Sequence, residues 1–442
     1  MFKGKISQKT AKDFISKLSL GGKIVWSLAI FGIILVIYRY AAGLGAATNL
    51  SDGYPWGLWI GFDILAGIAL AAGGFVMAGT VHLFGGHKYH ALSRPAILTA
   101  LLGYLLFIFG LFFDLGRPWN LWRAIYSWNH ASPMFEVAWC VMLYTTVLIL
   151  EFLPVVFERF KLNKLLELWR TFVPWIIIFM LGMFTLAMSY SLAWALVMVI
   201  ILLVWEISMR AGWMPRDKQM PILLIMAGVM FSTMHQSSLG SIFLLAPTKL
   251  HILWYTPIIP LLFLLSAIMA APAMVTFEAL MSEKILKHKA RFDLLSDLAG
   301  WMPYLLGFYL LIKIADLLGR NAALHTFTMS PQTISWWLEI TIGVILPLIL
   351  FLSLEIIKTK GGLLWASTLV IVGLIWNRIN VAIVGVIVEK WETYYPYWIE
   401  LFITIGVVAI GLIVFKWAVE NLPIYEHDKL STVKEKELTY GK

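Results

Sequence analysis

Phe231-Ser-Thr-Met-His-Gln-Ser-Ser-Leu-Gly-Ser241 is polar where its neighbours forbid polarity. Pro221-Ile-Leu-Leu-Ile-Met-Ala-Gly-Val-Met230 precedes it and Ile242-Phe-Leu-Leu-Ala246 follows, so about 25 residues from Pro221 to Ala246 read as one membrane span. His235, Gln236, Ser237 and Ser238 lie inside that span. A histidine and an amide in hydrocarbon are costly unless they face protein or a wet cavity. The stretch is therefore either a site or polar glue between helices.

The rest of the chain supports a membrane setting. It is 60% hydrophobic and 13% charged over 442 residues, which lies outside any soluble class. The apolar runs are continuous and do not alternate with period two, so the expected fold is all-α and polytopic, not a transmembrane barrel. The net charge of +9 is dispersed among short loops and forms no single patch with interleaved aromatics, which excludes nucleic acid as a partner. The lone cysteine, Cys140, sits in an apolar run. There is thus no disulfide framework, no CxxC and no zinc or iron–sulfur ligand set in this chain, and any metal cluster belongs to a partner. Six lysines precede the first apolar segment and no small-residue cleavage site follows it, so the first helix is expected to be retained.

Apolar runs bounded by proline, glycine or charge occupy roughly 24–44, 57–84, 95–115, 133–154, 171–189, 191–209, 221–246, 257–281, 298–318, 333–357, 362–388 and 396–419. These are twelve spans, or ten if the extra pair is discounted, with spans 5 and 6 parted only by a short turn near Ser189 to Ser191. The positive-inside rule tests the count. With the N-terminus inside, the inner segments hold 25 of the 34 Lys and Arg, whereas the outer segments hold only Arg39, Arg117, Arg123, Lys249, Arg320 and Lys390. Merging spans 5 and 6 would swap every later loop and collapse this bias. The expectation is therefore a multi-pass protein of the cytoplasmic (inner) membrane. Residues 1–23 form a cytoplasmic segment, 24–419 the helical domain and 420–442 a cytoplasmic tail. The outer loops are aromatic, among them Trp119, Trp122, Tyr126, Trp254, Tyr395 and Trp398. Such residues serve either as an interfacial belt or as a platform for another protein.

Once topology is assigned, depth follows from a rise of about 1.5 Å per residue. Asp63, Asp114, Glu136, His235, Lys313, Asp316, Glu339 and Arg378 come from seven spans and all fall in the outer half of the membrane. Isolated charges there cost about 2.5 to 3.5 kcal/mol each on insertion scales, so they should pair or line a polar cavity. Two readings stay open. One is a set of helix-tying ion pairs, with Lys313 to Asp316 and Arg378 to a carboxylate as candidates. The other is a proton-handling pocket beside a ligand whose redox state changes its protonation, for which a quinone fits. His82, Glu206, Glu278 and Glu355 lie near the inner ends of their spans and are either solvated or continue a proton path. Of nine histidines only His82 and His235 fall within spans, at opposite depths, and no CxxCH is present. A bis-histidine haem is therefore not expected, and electrons would reach a quinone from a partner near the outer surface.

A series of motifs is familiar in combination: Tyr54-Pro-Trp-Gly-Leu-Trp-Ile-Gly-Phe-Asp63, Ala71-Ala-Gly-Gly74, Arg94-Pro95, Gly103-Tyr104 through Asp114-Leu-Gly-Arg-Pro-Trp-Asn120, Phe135-Glu136, Thr233-Met-His-Gln-Ser-Ser-Leu-Gly240, Trp337-Leu-Glu339 and Trp376-Asn-Arg378. From about Gly43 to Pro423 the chain resembles the NrfD/PsrC family of quinone-interacting membrane subunits, on its HybB/DsrP branch. The resemblance implies a haem-free subunit with its helices in two bundles and a menaquinone or ubiquinone site near the outer face. It also implies an extracytoplasmic ferredoxin-like iron–sulfur subunit, with further catalytic redox subunits beyond it. Asp63, Asp114, Glu136, His235 and Arg378 match the family's charged motif positions and are carried over as quinone-site or proton-path candidates. Gln236, Ser237, Glu339, Lys313 and Asp316 join them from the depth reading. The chain departs from its ten-helix relatives between about Phe160 and Lys218, which supplies spans 5 and 6.

The expected function is a quinone-binding membrane subunit of a respiratory oxidoreductase, not catalytic alone, with proton translocation as a possible accompaniment. A proton- or ion-coupled secondary transporter is the rival. Such folds usually show inverted repeats and midplane sites, whereas here the charges sit on one side. Topology provides a direct check. A reporter active only outside the cytoplasm and fused after Tyr190 is expected to be active, and the same reporter after Arg210 silent; the reverse pattern would overturn the twelve-span order.

Overall fold

The computed structural model describes residues 18–213, 221–388 and 394–425. The expectations resting on residues 1–17, on Arg216, Lys218, Lys390 and Trp391, and on the tail from residue 426 lie outside the described residues. Among the described residues twelve helices are long and apolar enough to cross a membrane: α1 (Leu20–Ala42), α2 (Trp59–His82), α3 (His87–Asp114), α4 (Pro133–Arg159), α5 (Asn163–Ser189), α6 (Leu192–Arg210), α7 (Ile222–Leu244), α8 (Ile259–Leu286), α9 (Phe292–Gly319), α10 (Pro331–Leu352), α11 (Lys360–Val384) and α12 (Trp398–Asn421). Among the described residues the only β-pairing is an isolated antiparallel bridge between Leu250 and Val386. The all-α, twelve-span reading is therefore borne out.

The boundary least marked in the sequence is resolved by local chemistry. Tyr190 adopts a left-handed conformation (φ 49°), its N–H closes on Leu186 O, and the Ser191 hydroxyl accepts from Trp194 N at 3.4 Å. One helix thus ends and the next is capped within three residues. Other ends shift outward from the hydropathy limits. Helix α5 begins at Asn163 instead of 171, because Lys164, Glu167 and Arg170 continue the backbone ladder beyond the apolar stretch. Pro95, Pro154, Pro174 and Pro272 lie inside helices, where hydropathy cannot detect their local effect.

Helices α2, α3, α4 and α7 pack around one another as a first bundle, and α8, α9, α10 and α11 as a second. They meet along a seam where α7 and α2 touch α8 and α2 touches α11. Helices α1 and α12 pair with each other and flank α2 and α3, while α5 and α6 lie outside α4 and α7. We call the rim carrying the start of α1 and the end of α12 the near rim, and the opposite one the far rim. Small residues set the closest crossings. A Cβ on Gly373 of α11 would stand 2.1 Å from the Gly343 Cα of α10, and one on Gly32 of α1 would stand 2.7 Å from the Gly406 Cα of α12.

Three segments among the described residues are π-helical: Trp59–Ala66 in α2, Thr341–Ile345 in α10 and Asn380–Val384 in α11. The first and third lie in the far half of their spans and the second at the middle, and each follows or contains a buried polar residue, Asp63, Glu339 or Asn380. An extra residue in a turn rotates the helix face, and such bulges recur at functional positions.

Gly373→Leu is expected to destabilise the protein by more than the 1–3 kcal/mol or about that typical of overpacking, because the added side chain meets backbone. Thermal unfolding in detergent measures it, and Gly361→Ala, with nothing within 4 Å, should leave the transition unmoved.

Candidate functional site

The polar residues of the far half gather into three knots. The largest is in the second bundle. Glu339, 2% exposed, forms an ion pair with Lys313 across α9 and α10. It also accepts from Trp254 Nε1 at 2.9 Å, Asn377 Nδ2 at 2.9 Å and Asn380 Nδ2 at 2.8 Å. Four donors from three elements thus meet one carboxylate, which matches its acceptor capacity. The amides share a face because Asn377 and Asn380 are one turn apart on α11.

Arg378 lies within the same helix turn but points to the seam. It donates to Asn377 Oδ1 at 2.7 Å, Ser266 Oγ at 2.8 Å and Phe263 O at 3.1 Å, and its guanidinium stands 3.7 Å above the Phe263 ring. Its Nε, fully buried, has no partner within the chain. Asp316 accepts from Thr256 Oγ1 at 2.5 Å and from Arg320 Nε and Nη2 at 3.0 and 2.6 Å. Beside this network a small recess of about 20 Å³ opens between α8, α9 and α11. Trp254, Lys313, Asp316 and Asn377 give its lining polar groups, and Leu262 and Phe263 are among its apolar lining.

The second knot is in the first bundle. His235 is 0% exposed, its Nδ1 meets the Tyr104 hydroxyl at 2.9 Å, and its Nε2 has no partner within the chain. Gln236 donates to Ile68 O at 2.9 Å and leaves its Oε1 unpartnered. Ser238 donates to Glu136 Oε1 at 3.0 Å, so α7 and α4 are tied one turn above His235.

The third knot joins α1, α2, α3 and α12. Asp63 accepts from Thr404 Oγ1 at 2.7 Å, and Asp114 lies within electrostatic range of Asp63, Arg39 and Glu400. Arg39 is spent on the carbonyls of Phe113 and Leu115, at 2.8 and 2.7 Å, which caps the end of α3. Glu400 accepts from Tyr394 Oη at 2.5 Å and from the backbone N–H groups of Asn49 and Tyr397, each at 3.1 Å. On the far rim, outside the spans, Tyr54 donates to Ile383 O, and burial pushes its hydroxyl up to about 12.

Several sequence expectations are corrected by these contacts. The eight ionisable residues do not line one pocket but divide among three knots, because each finds partners on its own neighbouring helices. Lys313 does not pair with Asp316 three residues away: Lys313 crosses the bundle to Glu339, while Asp316 pairs with Arg320 one turn further along its own helix end and accepts from Thr256 before α8. Arg378 pairs with an amide oxygen, a hydroxyl and a carbonyl, not with a carboxylate. Ser237 turns back onto Thr233 O and Met234 O of its own helix, at 3.2 and 2.9 Å, and so reaches no other element. Sequence reading missed Tyr104 as the histidine's partner, Asn377 and Asn380 as the carboxylate's donors, and Glu400. The run Asn377-Arg378-Ile379-Asn380 inside an apolar span was the available signal for two of them.

The chain was compared with known proteins. A family model described as "Polysulphide reductase, NrfD" matches residues 46–389. A protein of Nitratidesulfovibrio vulgaris is 33% identical over 93% of this chain and 96% of its own length. The probable Ni/Fe-hydrogenase 2 b-type cytochrome subunit of Escherichia coli is 29% identical over 92% of this chain and 94% of its own. The integral membrane subunit of menaquinone reductase from N. vulgaris is 25% identical, over 93% and 94% respectively.

Removing one partner of the buried ion pair is expected to cost more than removing both. Glu339→Ala should destabilise the detergent-solubilised protein by about 3–5 kcal/mol, and the double substitution Lys313→Met with Glu339→Leu should recover a large part of it. Equal losses in the single and double variants would show that the pair does not govern stability there.

Proposed function

Since the chain belongs to the NrfD family, whose model spans residues 46–389, we propose that it is the quinone-reactive membrane subunit of a respiratory oxidoreductase complex, with its quinone site in the recess between α8, α9 and α11. The family's relatives include subunits named for hydrogenase and menaquinone reductase complexes, which supports an oxidoreductase setting. In this reading the far rim faces outward and both termini face the cytoplasm, as the distribution of Lys and Arg favours. A ferredoxin-like iron–sulfur subunit seated on the far rim exchanges electrons with the quinone, and further catalytic subunits lie beyond it. The chain holds no haem and no cluster of its own.

The observation that carries the proposal is the recess itself. Its apolar wall suits a ring with a prenyl tail, and menaquinone and ubiquinone both satisfy that description. Its polar wall holds donors with capacity to spare. The Lys313 ammonium has three N–H groups and gives one to Glu339, which leaves others for a quinone carbonyl oxygen. Glu339, Asn377 and Asn380 hold that ammonium in place, so charge developing on the quinone oxygens meets a fixed cation in a low-dielectric surround. Asp316 lines the recess beside Arg320 and can hold a proton for the ring oxygen that Lys313 does not serve. Reduction of the quinone takes two electrons from the partner and two protons from this chain. Arg378 stands behind Asn377 and adds positive potential from the seam. His235, Gln236, Glu136, Asp63 and Asp114 are assigned to proton handling in place of headgroup contact, since His235 is fully buried behind Tyr104 and none of the five lines the recess.

Leu262→Trp fills the recess without touching a charge. In the complex with its partners it is expected to raise KM for a soluble menaquinone analogue by about tenfold or more, while reduction of the iron–sulfur subunit by its own donor is unaffected. An unchanged KM would place the quinone elsewhere.

A further inference from the structure

Below His235 the first bundle contains buried polar groups that the quinone recess does not use. Ser232 lies three residues before His235 on α7 and is 0% exposed. Its hydroxyl stands between those of Tyr104 and Tyr144 and can bond with either. The rings of Tyr104 and Tyr144 meet edge-on with 4.6 Å between centroids. Further down α4, Glu151 is 3% exposed and has Oε1 unpartnered. Gly228 makes the link between them. A Cβ placed there would lie 3.2 Å from Glu151 Oε1 and 3.8 Å from the Tyr144 ring, so the carboxylate and the ring share the cleft that the glycine leaves.

The series covers the middle of the membrane. Glu151 lies eight residues from the near end of α4 and His235 nine residues from the far end of α7, each about 12 to 14 Å in at 1.5 Å per residue. Buried polar groups in proteins are hydrogen-bonded with few exceptions. Here His235 Nε2 and Glu151 Oε1 retain hydrogen-bonding capacity at the two ends, and the hydroxyls of Tyr104, Ser232 and Tyr144 lie between them in the same bundle. Groups that only tied helices together would have spent it. A carboxylic acid, three hydroxyls and an imidazole can each accept a proton on one atom and release one from the same group.

We propose that Glu151, Tyr144, Ser232, Tyr104 and His235 form a proton-conducting file from the near half of the first bundle to its far half. The proposal rests on the quinone reading above, because quinone turnover in the far half supplies the demand for protons. Glu151 gives up a proton to the hydroxyl line, each hydroxyl accepts one as it donates another, His235 receives it, and Glu151 is reprotonated from the near side. Nothing along the file is oxidised or reduced.

The test uses the whole complex, with its partner subunits, in proteoliposomes, and reads both quinone-linked electron transfer and protons taken from the near side per electron. Glu151→Gln and Tyr144→Phe keep the shape of each side chain. Both are expected to lower the proton-to-electron ratio about fivefold or more while electrons still reach the quinone. Glu283→Gln is the comparison. Glu283 sits three residues from the near end of α8, pairs with Lys360 of α11 and lies outside the file, so its substitution should leave the ratio unchanged. Electron transfer with an unaltered ratio in both file variants would overturn the file alone, as would a ratio that falls only with Glu283→Gln. A complex that passes no electrons to quinone would overturn the quinone reading and the file with it.

Discussion

A carboxylate carried into the low-dielectric interior of a membrane protein must collect its hydrogen-bond donors from neighbouring helices, and Glu339 collects four. The desolvation cost of such a group is several kcal/mol, so the helices that provide the donors are held in one arrangement. Lys313 comes from α9, Asn377 and Asn380 from α11, and Trp254 from the segment before α8. The second bundle is organised by this requirement, and the recess between α8, α9 and α11 exists because its polar wall is pinned from behind.

The first bundle solves the same problem in a different way. Its titratable groups are not matched one to one. His235 is held at one nitrogen only, and Glu151 keeps an oxygen without a partner. Small residues compensate by letting the helices approach closely, as where Gly74 faces Ala100 and Gly103 faces Ala71. Dispersion and backbone proximity hold these helices together, and the polar groups between them are left with chemical capacity. The second bundle is thus tied by the ion pair and amides around Glu339, whereas the first rests more on close packing of small residues.

Much of this was legible in the residues. Continuous apolar runs and the bias of Lys and Arg required twelve antiparallel spans, since hydrocarbon thickness fixes span length. The break near Ser189 to Ser191 was legible only through loop charge, since merging the two spans would collapse the Lys and Arg bias; the left-handed turn and serine cap that make it were not. Depth was also legible, because a helix advances a constant distance per residue. Pairing was not. Lys313 and Asp316 are correctly spaced for an ion pair on one helix, yet Lys313 goes to the more deeply buried Glu339 across the bundle and Asp316 to Arg320 at the other permitted spacing, four residues on.

The sequence by itself determined the all-α membrane fold, the number of spans and the half of the membrane in which the ionisable side chains lie, because these follow from hydropathy, helical rise and loop charge alone. Only the tertiary structure decided which of those side chains meet. Contact across a bundle depends on helix rotation, and here the rotation is set by π-helical turns at Trp59–Ala66, Thr341–Ile345 and Asn380–Val384 and by glycine crossings such as Gly343 with Gly373. A one-residue change of phase turns a side chain by about 100° around its axis, which no periodicity in the sequence records.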